Sequence, residues 1–292
     1  MMEELIKKAD VLIEALPYIQ KFRDTVAVIK FGGSAMENPD LIEKTARDIV
    51  LMEAIGMKPV VVHGGGKAIT ARLKELNIQT KFINGLRVTD EKTISVVDDV
   101  LHNVTNKLLV DGILHAGGKG ASLSGKNLLR AKKLYSKDLE TGKPIDIGFV
   151  GEIVATDTSA IFDALNFEVI PVIAPLAMDF HGQVYNINAD IAACEIAKAV
   201  KARKLVFISD VPGVLRNPED EKTLISVIHT SEVQNLIQEG VLSGGMLPKI
   251  RSCMDALEHG VTEVHMVDGR NPHSLLLEIF TDHGVGTQIL KG

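Results

Sequence analysis

Lys30 closes the apolar run Val26-Ala27-Val28-Ile29 and is followed by Phe31-Gly32-Gly33-Ser34. A second such run, Val60-Val61-Val62, ends in His63-Gly64-Gly65-Gly66. Glycines after strand residues let backbone N–H groups approach a ligand with no Cβ in the way, and a following helix N-terminus favours an anion. With the lysine's charge, these twin loops suggest a site for phosphates and carboxylates. Three more candidates lie downstream. Asp190 closes Tyr185-Asn186-Ile187-Asn188-Ala189-Asp190, Asp210 follows Leu205-Val206-Phe207-Ile208-Ser209, and Lys249 follows Gly244-Gly245-Met246-Leu247-Pro248. Lys249 falls in a first helical turn, where a positive charge opposes the helix dipole unless an anion lies between.

Each feature alone has a plainer reading: glycines as turns, lysines as solvated surface groups. Together, two lysines, glycine amides and an acid suit phosphoryl transfer, where catalysis is positioning plus charge neutralisation. A carboxylate acceptor with a Glu-like pKa of about 4.3 is already ionised at neutral pH and needs no general base. The obstacle is then repulsion between two anions, which lysines and backbone N–H groups relieve.

Other chemistries lack their residues. There is no His-Glu-x-x-His or Cys-x-x-Cys, so no metal site is expected. His63, His181, His265 and His283 are dispersed, and each reads as a structural histidine. No Gly-x-Ser-x-Gly elbow occurs, and no Gly-x-Gly-x-x-Gly follows the first strand. Gly120-Ala121-Ser122-Leu123-Ser124-Gly125-Lys126-Asn127 has P-loop spacing, but Asn127 replaces the magnesium-binding Ser or Thr; the segment reads instead as a glycine-rich hairpin near the substrate. The net charge is −6 with no basic block, which makes nucleic acid and anionic membranes poor partners. Glu3, Glu4, Lys7 and Lys8 argue against a signal peptide, and no apolar run reaches the ~20 residues of a membrane helix, so a cytoplasmic protein is expected. Cys194 and Cys253 lie in helical patterns; a disulfide between them is the alternative to two buried free thiols.

The elements that must position these groups alternate between strand and helix. Residues 3–18 read as an amphipathic helix with Leu5, Ala9, Leu12 and Leu16 on one face, which either packs on its own domain or docks a second subunit. Asn38, Pro39 and Gly56 punctuate the helix between the glycine loops, and residues 67–76 form the next. The turn Asn84-Gly85-Leu86-Arg87-Val88-Thr89 presents an arginine ahead of a long helix. Its stripe Ile94, Val97, Leu101, Val104 and Leu108 is either internal core or a subunit interface. Residues 136–143 read as an exposed loop and 217–222 as a surface hairpin. Strands are expected at 149–154, 169–174, 205–210, 263–267 and 287–290. The alternation predicts a mainly parallel sheet covered on both faces, with its ligands at the strands' carboxyl ends.

These segments resemble the N-acetylglutamate kinase family of the amino acid kinase superfamily over essentially the whole chain. The resemblance rests on Ile29-Lys30-Phe31-Gly32-Gly33-Ser34, Val62-His63-Gly64-Gly65-Gly66, Asn84 to Thr89, Leu123-Ser124-Gly125-Lys126, Tyr185 to Asp190, Ser209-Asp210-Val211 and Gly244 to Lys249. It implies an α/β three-layer sandwich with a mainly parallel central sheet of about eight strands. The implied divisions are an N-terminal helix (1–22), an acceptor lobe (23–182) and a nucleotide lobe (183–292). The implied reaction phosphorylates the side-chain carboxylate of N-acetyl-L-glutamate with ATP and Mg2+, in the second step of arginine biosynthesis.

By the same resemblance, Lys30 and Lys249 would stabilise the phosphoryl group and Asp190 would hold both lysines. Gly32, Gly33 and Gly65 would offer N–H groups to phosphate and acceptor. Gly65, Gly66, Arg87 and Asn186 would bind the acceptor, and Asp210 would lie against the nucleotide. Arginine inhibition at Tyr18, His265, Glu278 and Gly286 is implied, with a homo-oligomer, a hexamer as a trimer of dimers. Some relatives also bind a nitrogen-signalling protein. Asn127-Leu128 departs from the family's Asp-Gly at that loop. The nearest alternatives are a kinase for another amino-acid carboxylate, of aspartate, glutamate or aminoadipate type, and a non-catalytic sensor of acetylglutamate or arginine.

Overall fold

The protein was analysed as a computed structural model, which describes residues 2–138, 140–281 and 284–292. His283 lies outside these residues. The chain opens with α1 (Met2–Phe22), β1 (Val26–Phe31), α2 (Pro39–Ala54), β2 (Lys58–His63) and α3 (Gly66–Glu75). The short pair β3 (Phe82–Ile83) and β4 (Leu86–Arg87) leads to α4 (Glu91–Asp99), a π-helical segment (Val100–Asn106) and α5 (Lys107–His115). Next come β5 (Gly120–Ser124), α6 (Gly125–Leu128), β6 (Leu129–Lys137), β7 (Pro144–Thr156), α7 (Ser159–Asn166), β8 (Ile170–Ala174), β9 (Leu176–Met178) and β10 (Val184–Asn186). The remainder is α8 (Ala189–Ala199), β11 (Lys204–Ser209), β12 (Val227–His229), α9 (Val233–Gln238), α10 (Met246–Glu258), β13 (Glu263–Asp268), α11 (Ser274–Ile279) and β14 (Thr287–Leu290).

Eight strands form one sheet in the order β12-β14-β13-β11-β1-β2-β8-β5, and only the β13–β14 contact is antiparallel. Its inner strands β1, β2, β8 and β11 are largely apolar because both faces are covered. Val28, Val60, Val62, Leu205 and Phe207 face a core built with α7, α8 and α10. The alternate residues Ala27, Ile29, Phe31, Val61, Val206 and Ile208 face α2, α5 and α11. The expected sandwich of about eight mainly parallel strands is therefore the fold. β1 sits between β2 and β11, where the chain's two strand series diverge; Lys30 pairs in register with Val62 on one side and Phe207 on the other. A crevice at such a switch point is the usual ligand site of an open α/β sheet.

Three expectations need correction. The stripe Ile94–Leu108 does not stay on one face: Ile94, Val97 and Leu101 are buried, but Val104 and Leu108 are exposed, and Thr105, Leu109 and Ile113 turn inward instead. The π-segment causes this, since its wider turn rotates the buried face of α5 relative to α4. Residues 120–128 are no hairpin but an edge strand and one helical turn, and Lys126 pairs with Asp98 at 2.8 Å. The loop read at 136–143 is shorter, because β6 continues to Lys137 and pairs there with Pro144. Among the described side chains of α1, those of the last turns are packed. Phe22 is buried, whereas Ile6, Val11, Ile13 and Leu16 are exposed. Ala9 is also exposed, and the side chains of Leu5 and Leu12 lie outside the described residues. Among the described residues no helix is long and apolar enough to cross a membrane.

Candidate active site

Lys30 leaves the end of β1 toward the first turn of α8, where its Nζ lies 3.0 Å from Asp190 Oδ1. Lys249, in the first turn of α10, places its Nζ 3.5 Å from Asp190 Oδ2. Asn188 fixes the carboxylate's perch by capping α8: its Oδ1 accepts from the N–H groups of Asp190 (2.8 Å) and Ile191 (3.2 Å). Burial works against the charge on Asp190, but Lys30 and Lys249 outweigh it and hold its pKa below the ordinary value. One carboxylate cannot neutralise two ammonium groups, so the cluster keeps a net positive charge.

The first glycine loop is held by Asp210, whose Oδ1 accepts from the Ser34 hydroxyl at 2.7 Å and from the Ser34 N–H. Gly33 has φ +77, and a Cβ there would collide with that carboxylate. The second loop is pinned from the other side: a Cβ on Gly65 would lie 2.5 Å from Leu101 Cδ2 in the π-segment. Beneath it, buried His63 donates from Nδ1 to Gly64 O (2.8 Å) and accepts at Nε2 from Asn106 (3.1 Å). Burial pushes the His63 pKa down to about 4, so the imidazole is neutral at pH 7 and braces the loop.

Across the cleft, Arg87 is buried against α3. Its NH2 donates to Gly66 O (2.9 Å) and Thr70 Oγ1 (2.8 Å), and its guanidinium lies 4.8 Å over the Phe82 ring. Thr89 ties this strand to the next wall: its hydroxyl donates to Arg87 O (2.9 Å) and accepts from Asn186 Nδ2 (3.3 Å). Lys30, Gly32, Gly33, Gly65, Gly66, Arg87, Asn186 and Asp190 line one cavity of about 470 Å³. Val104 and Leu108, turned outward by the π-segment, complete its apolar wall. Lys249 and Asp210 adjoin this cavity without lining it, through Asp190 and Ser34. Among the described residues no cluster of three or more His, Cys, Asp or Glu side chains is placed to hold a metal.

The residue pattern of the Amino acid kinase family matches residues 25–268. The acetylglutamate kinase of Petrotoga mobilis is 50% identical over 288 residues, covering 98% of this chain and 94% of that protein. That of Archaeoglobus fulgidus is 46% identical over 288 residues, covering 97% and 99%. The chain belongs to the amino acid kinase family, among the acetylglutamate kinases. Among solved structures, N-acetylglutamate synthase from Neisseria gonorrhoeae, complexed with coenzyme A and N-acetyl-glutamate, superposes with a TM-score of 0.85 at 27% identity. The match covers 97% of this chain and 63% of that longer one. Carbamate kinase from Giardia lamblia (TM-score 0.66, 15% identity) shares the fold.

In this acetylglutamate kinase fold the remaining predicted residues lie elsewhere, at the amino ends of β11 and β13. Glu278 Oε1 accepts from His265 Nδ1 (2.7 Å), and its Oε2 accepts from the N–H groups of Val285 (2.8 Å) and Gly286 (2.9 Å). Lys204 Nζ lies 3.1 Å from His265 Nε2 and also pairs with Glu263. Burial opposes the charge on Glu263, but His265 and Lys204 hold its pKa down to about 2. Tyr18 packs against the core that contains Phe22, over which the Lys204 ammonium lies at 4.6 Å. Sequence reasoning missed Ser34, Thr70, Thr89, Asn106 and Leu101 as supports of the site. Only Asn188 carried a local signal, a cap residue two places before the acid; the others meet their partners through long-range packing.

Proposed function

We propose that the protein transfers the γ-phosphoryl group of ATP, carried as its magnesium complex, to the side-chain carboxylate of N-acetyl-L-glutamate, the second step of arginine biosynthesis. The carrying observation is the Lys30–Asp190–Lys249 cluster at the glycine loops, a positive site with no general base and suited to an anionic acceptor. Lys30 and Lys249 stabilise the charge shared between the acceptor carboxylate and the transferring phosphoryl group, and Asp190 keeps their ammonium groups apart and aimed. Gly32, Gly33 and Gly65 bring backbone against the phosphates, with Asp210 fixing the first loop through Ser34. Among the described residues Asp190 is the acid paired with both lysines, and the magnesium arrives with the nucleotide rather than in a resident site.

Gly65, Gly66 and Arg87 hold the acceptor on the 23–182 side, joined by Asn186 from the start of the 183–292 side, on which the nucleotide lies. Support comes from the cavity, which Arg87 and Asn186 line together with Lys30, Asp190 and the apolar Val104 and Leu108. Arginine binds beside Tyr18, His265, Glu278 and Gly286, where the buried Glu278 and the partly buried Glu263 match a cationic ligand. The exposed apolar residues of α1 support its docking on a second subunit, in a hexamer built as a trimer of dimers. A nitrogen-signalling protein and a cytoplasmic location complete the reading. The test is ADP release from MgATP with N-acetyl-L-glutamate, glutamate, aspartate and N-acetylaspartate, with and without arginine. Activity on acetylglutamate alone is the expected result; activity on another acceptor would replace the substrate, and no ADP release would replace the reaction.

A further inference from the structure

Lys67 is the second residue of α3, directly after the triple glycine, and lines the same cavity as Lys30. Its Nζ reaches across the mouth to Glu37 Oε1 at 3.1 Å. Glu37 ends the short helical turn that follows Gly32, so this pair bridges the two glycine loops. Lys44, Arg47, Arg72 and Lys107 instead pair with acids three or four places away on their own helices. Lys67 also stands where a helix dipole repels a cation, a placement that an anion at the loop would relieve. Its field reaches the nucleotide-side edge: burial raises the Asp210 pKa, but the Ser34 hydrogen bonds and then Lys67, ahead of Lys30, hold it below the ordinary value. The two partners are more than half exposed, so the pair contributes little to stability and yields readily to a stronger anion.

We infer that Lys67 is a third phosphate-binding cation of the cleft, masked by Glu37 until the nucleotide's phosphates displace that carboxylate. This rests on the proposed ATP-dependent reaction and adds a residue to it. Arg87 already serves the acceptor end, and Lys30 and Lys249 share Asp190. Among the described residues the ion-pair partner of Lys67 is Glu37, which is repelled by an incoming triphosphate, so exchange of partners releases Glu37 to solvent as the phosphates bind.

The experiment measures MgATP and acceptor kinetics of Lys67→Met, Lys67→Arg, Glu37→Gln and Lys67→Met/Glu37→Gln, with calorimetric binding of ATP and adenosine to each. Lys67→Met should raise the KM for MgATP about tenfold, as expected for one charged contact to phosphate, with the acceptor KM little changed. Lys67→Arg should retain most of the affinity. Glu37→Gln should lower the KM for MgATP, and lose that effect once Lys67 is replaced. Adenosine binding should be equal throughout. An unchanged affinity for ATP in Lys67→Met, or an equal rise in both KM values, would overturn the inference while leaving the kinase reading intact. Wild-type protein that binds ATP but uses no acceptor would sink the proposed reaction, and the inference would still be decided by the ATP affinity of Lys67→Met. Wild-type protein that binds no ATP would overturn both.

Discussion

Asp190 is the residue on which the site's electrostatics turn. It lies between two ammonium groups, 3.0 and 3.5 Å away, and offsets only one of their charges. In the proposed role the surplus charge matters most when negative charge spreads over the transferring group, so Lys30→Ala or Lys249→Ala should reduce kcat by about a hundredfold or more while changing KM values far less. Steady-state ADP release checks this, and unchanged turnover would remove both lysines from the mechanism. A second buried acid behaves in the opposite sense. Burial lifts the Asp48 pKa from 3.8 to about 6, against the pull of His273, whose Nδ1 lies 2.6 Å away. A pKa raised on folding favours the folded state fully below 3.8, and this contribution is lost as pH rises through about 6. At about 1.4 kcal/mol for each tenfold change in acidity, the loss is about 3 kcal/mol. Asp48→Asn keeps an acceptor for His273 without the charge, so its stability relative to wild type should grow between pH 4 and pH 7 in urea titrations. A difference that stays constant with pH would exclude Asp48 as its source.

At the scale of elements, the decisive feature is the π-segment between α4 and α5. It presses Leu101 against Gly65, seats Asn106 on His63, and turns Val104 and Leu108 toward the cavity. Gly65 has φ −174, open to any residue, so its requirement is space rather than backbone freedom. Gly65→Ala should therefore raise KM values by displacing either the loop or Leu101, and adding Leu101→Val should restore part of the loss by removing the colliding methyl. Failure of the double variant to recover, with thermal stability retained, would show that the Gly65 backbone and not the Leu101 contact is critical.

For the whole molecule, the sheet places the strands after residue 204 on one side of β1 and the earlier strands on the other, and Asp190 and Lys30 meet at the seam. α1 extends from this body with apolar residues exposed to solvent, an arrangement that burial against a second chain would stabilise. If the proposed assembly and arginine site hold, removing residues 1–16 should reduce the mass in light scattering and weaken arginine inhibition, with turnover preserved because α1 does not line the cavity. An unchanged mass would assign α1 a role within its own chain.

The sequence by itself determined the local features. Asn38 caps α2 through a 3.0 Å bond to Asp40 N–H, Gly56 adopts φ +94 beyond its end, and the apolar runs after Thr25, Met57 and Arg203 became strands. It also marked Lys30, the glycine loops and Asp190, because strand-end and helix-start positions follow from short-range pattern, and Arg87 and Asn186 through the family resemblance. Only the tertiary structure decided what pairs across the cleft. Ser34 with Asp210 is separated by 176 residues, Asn186 with Thr89 by 97, and Lys67 with Glu37 joins different loops. The sheet order set these meetings. The π-segment was illegible for a related reason: its apolar spacing matches an ordinary helix, and only packing against β8 and the glycine loop selects the wider turn.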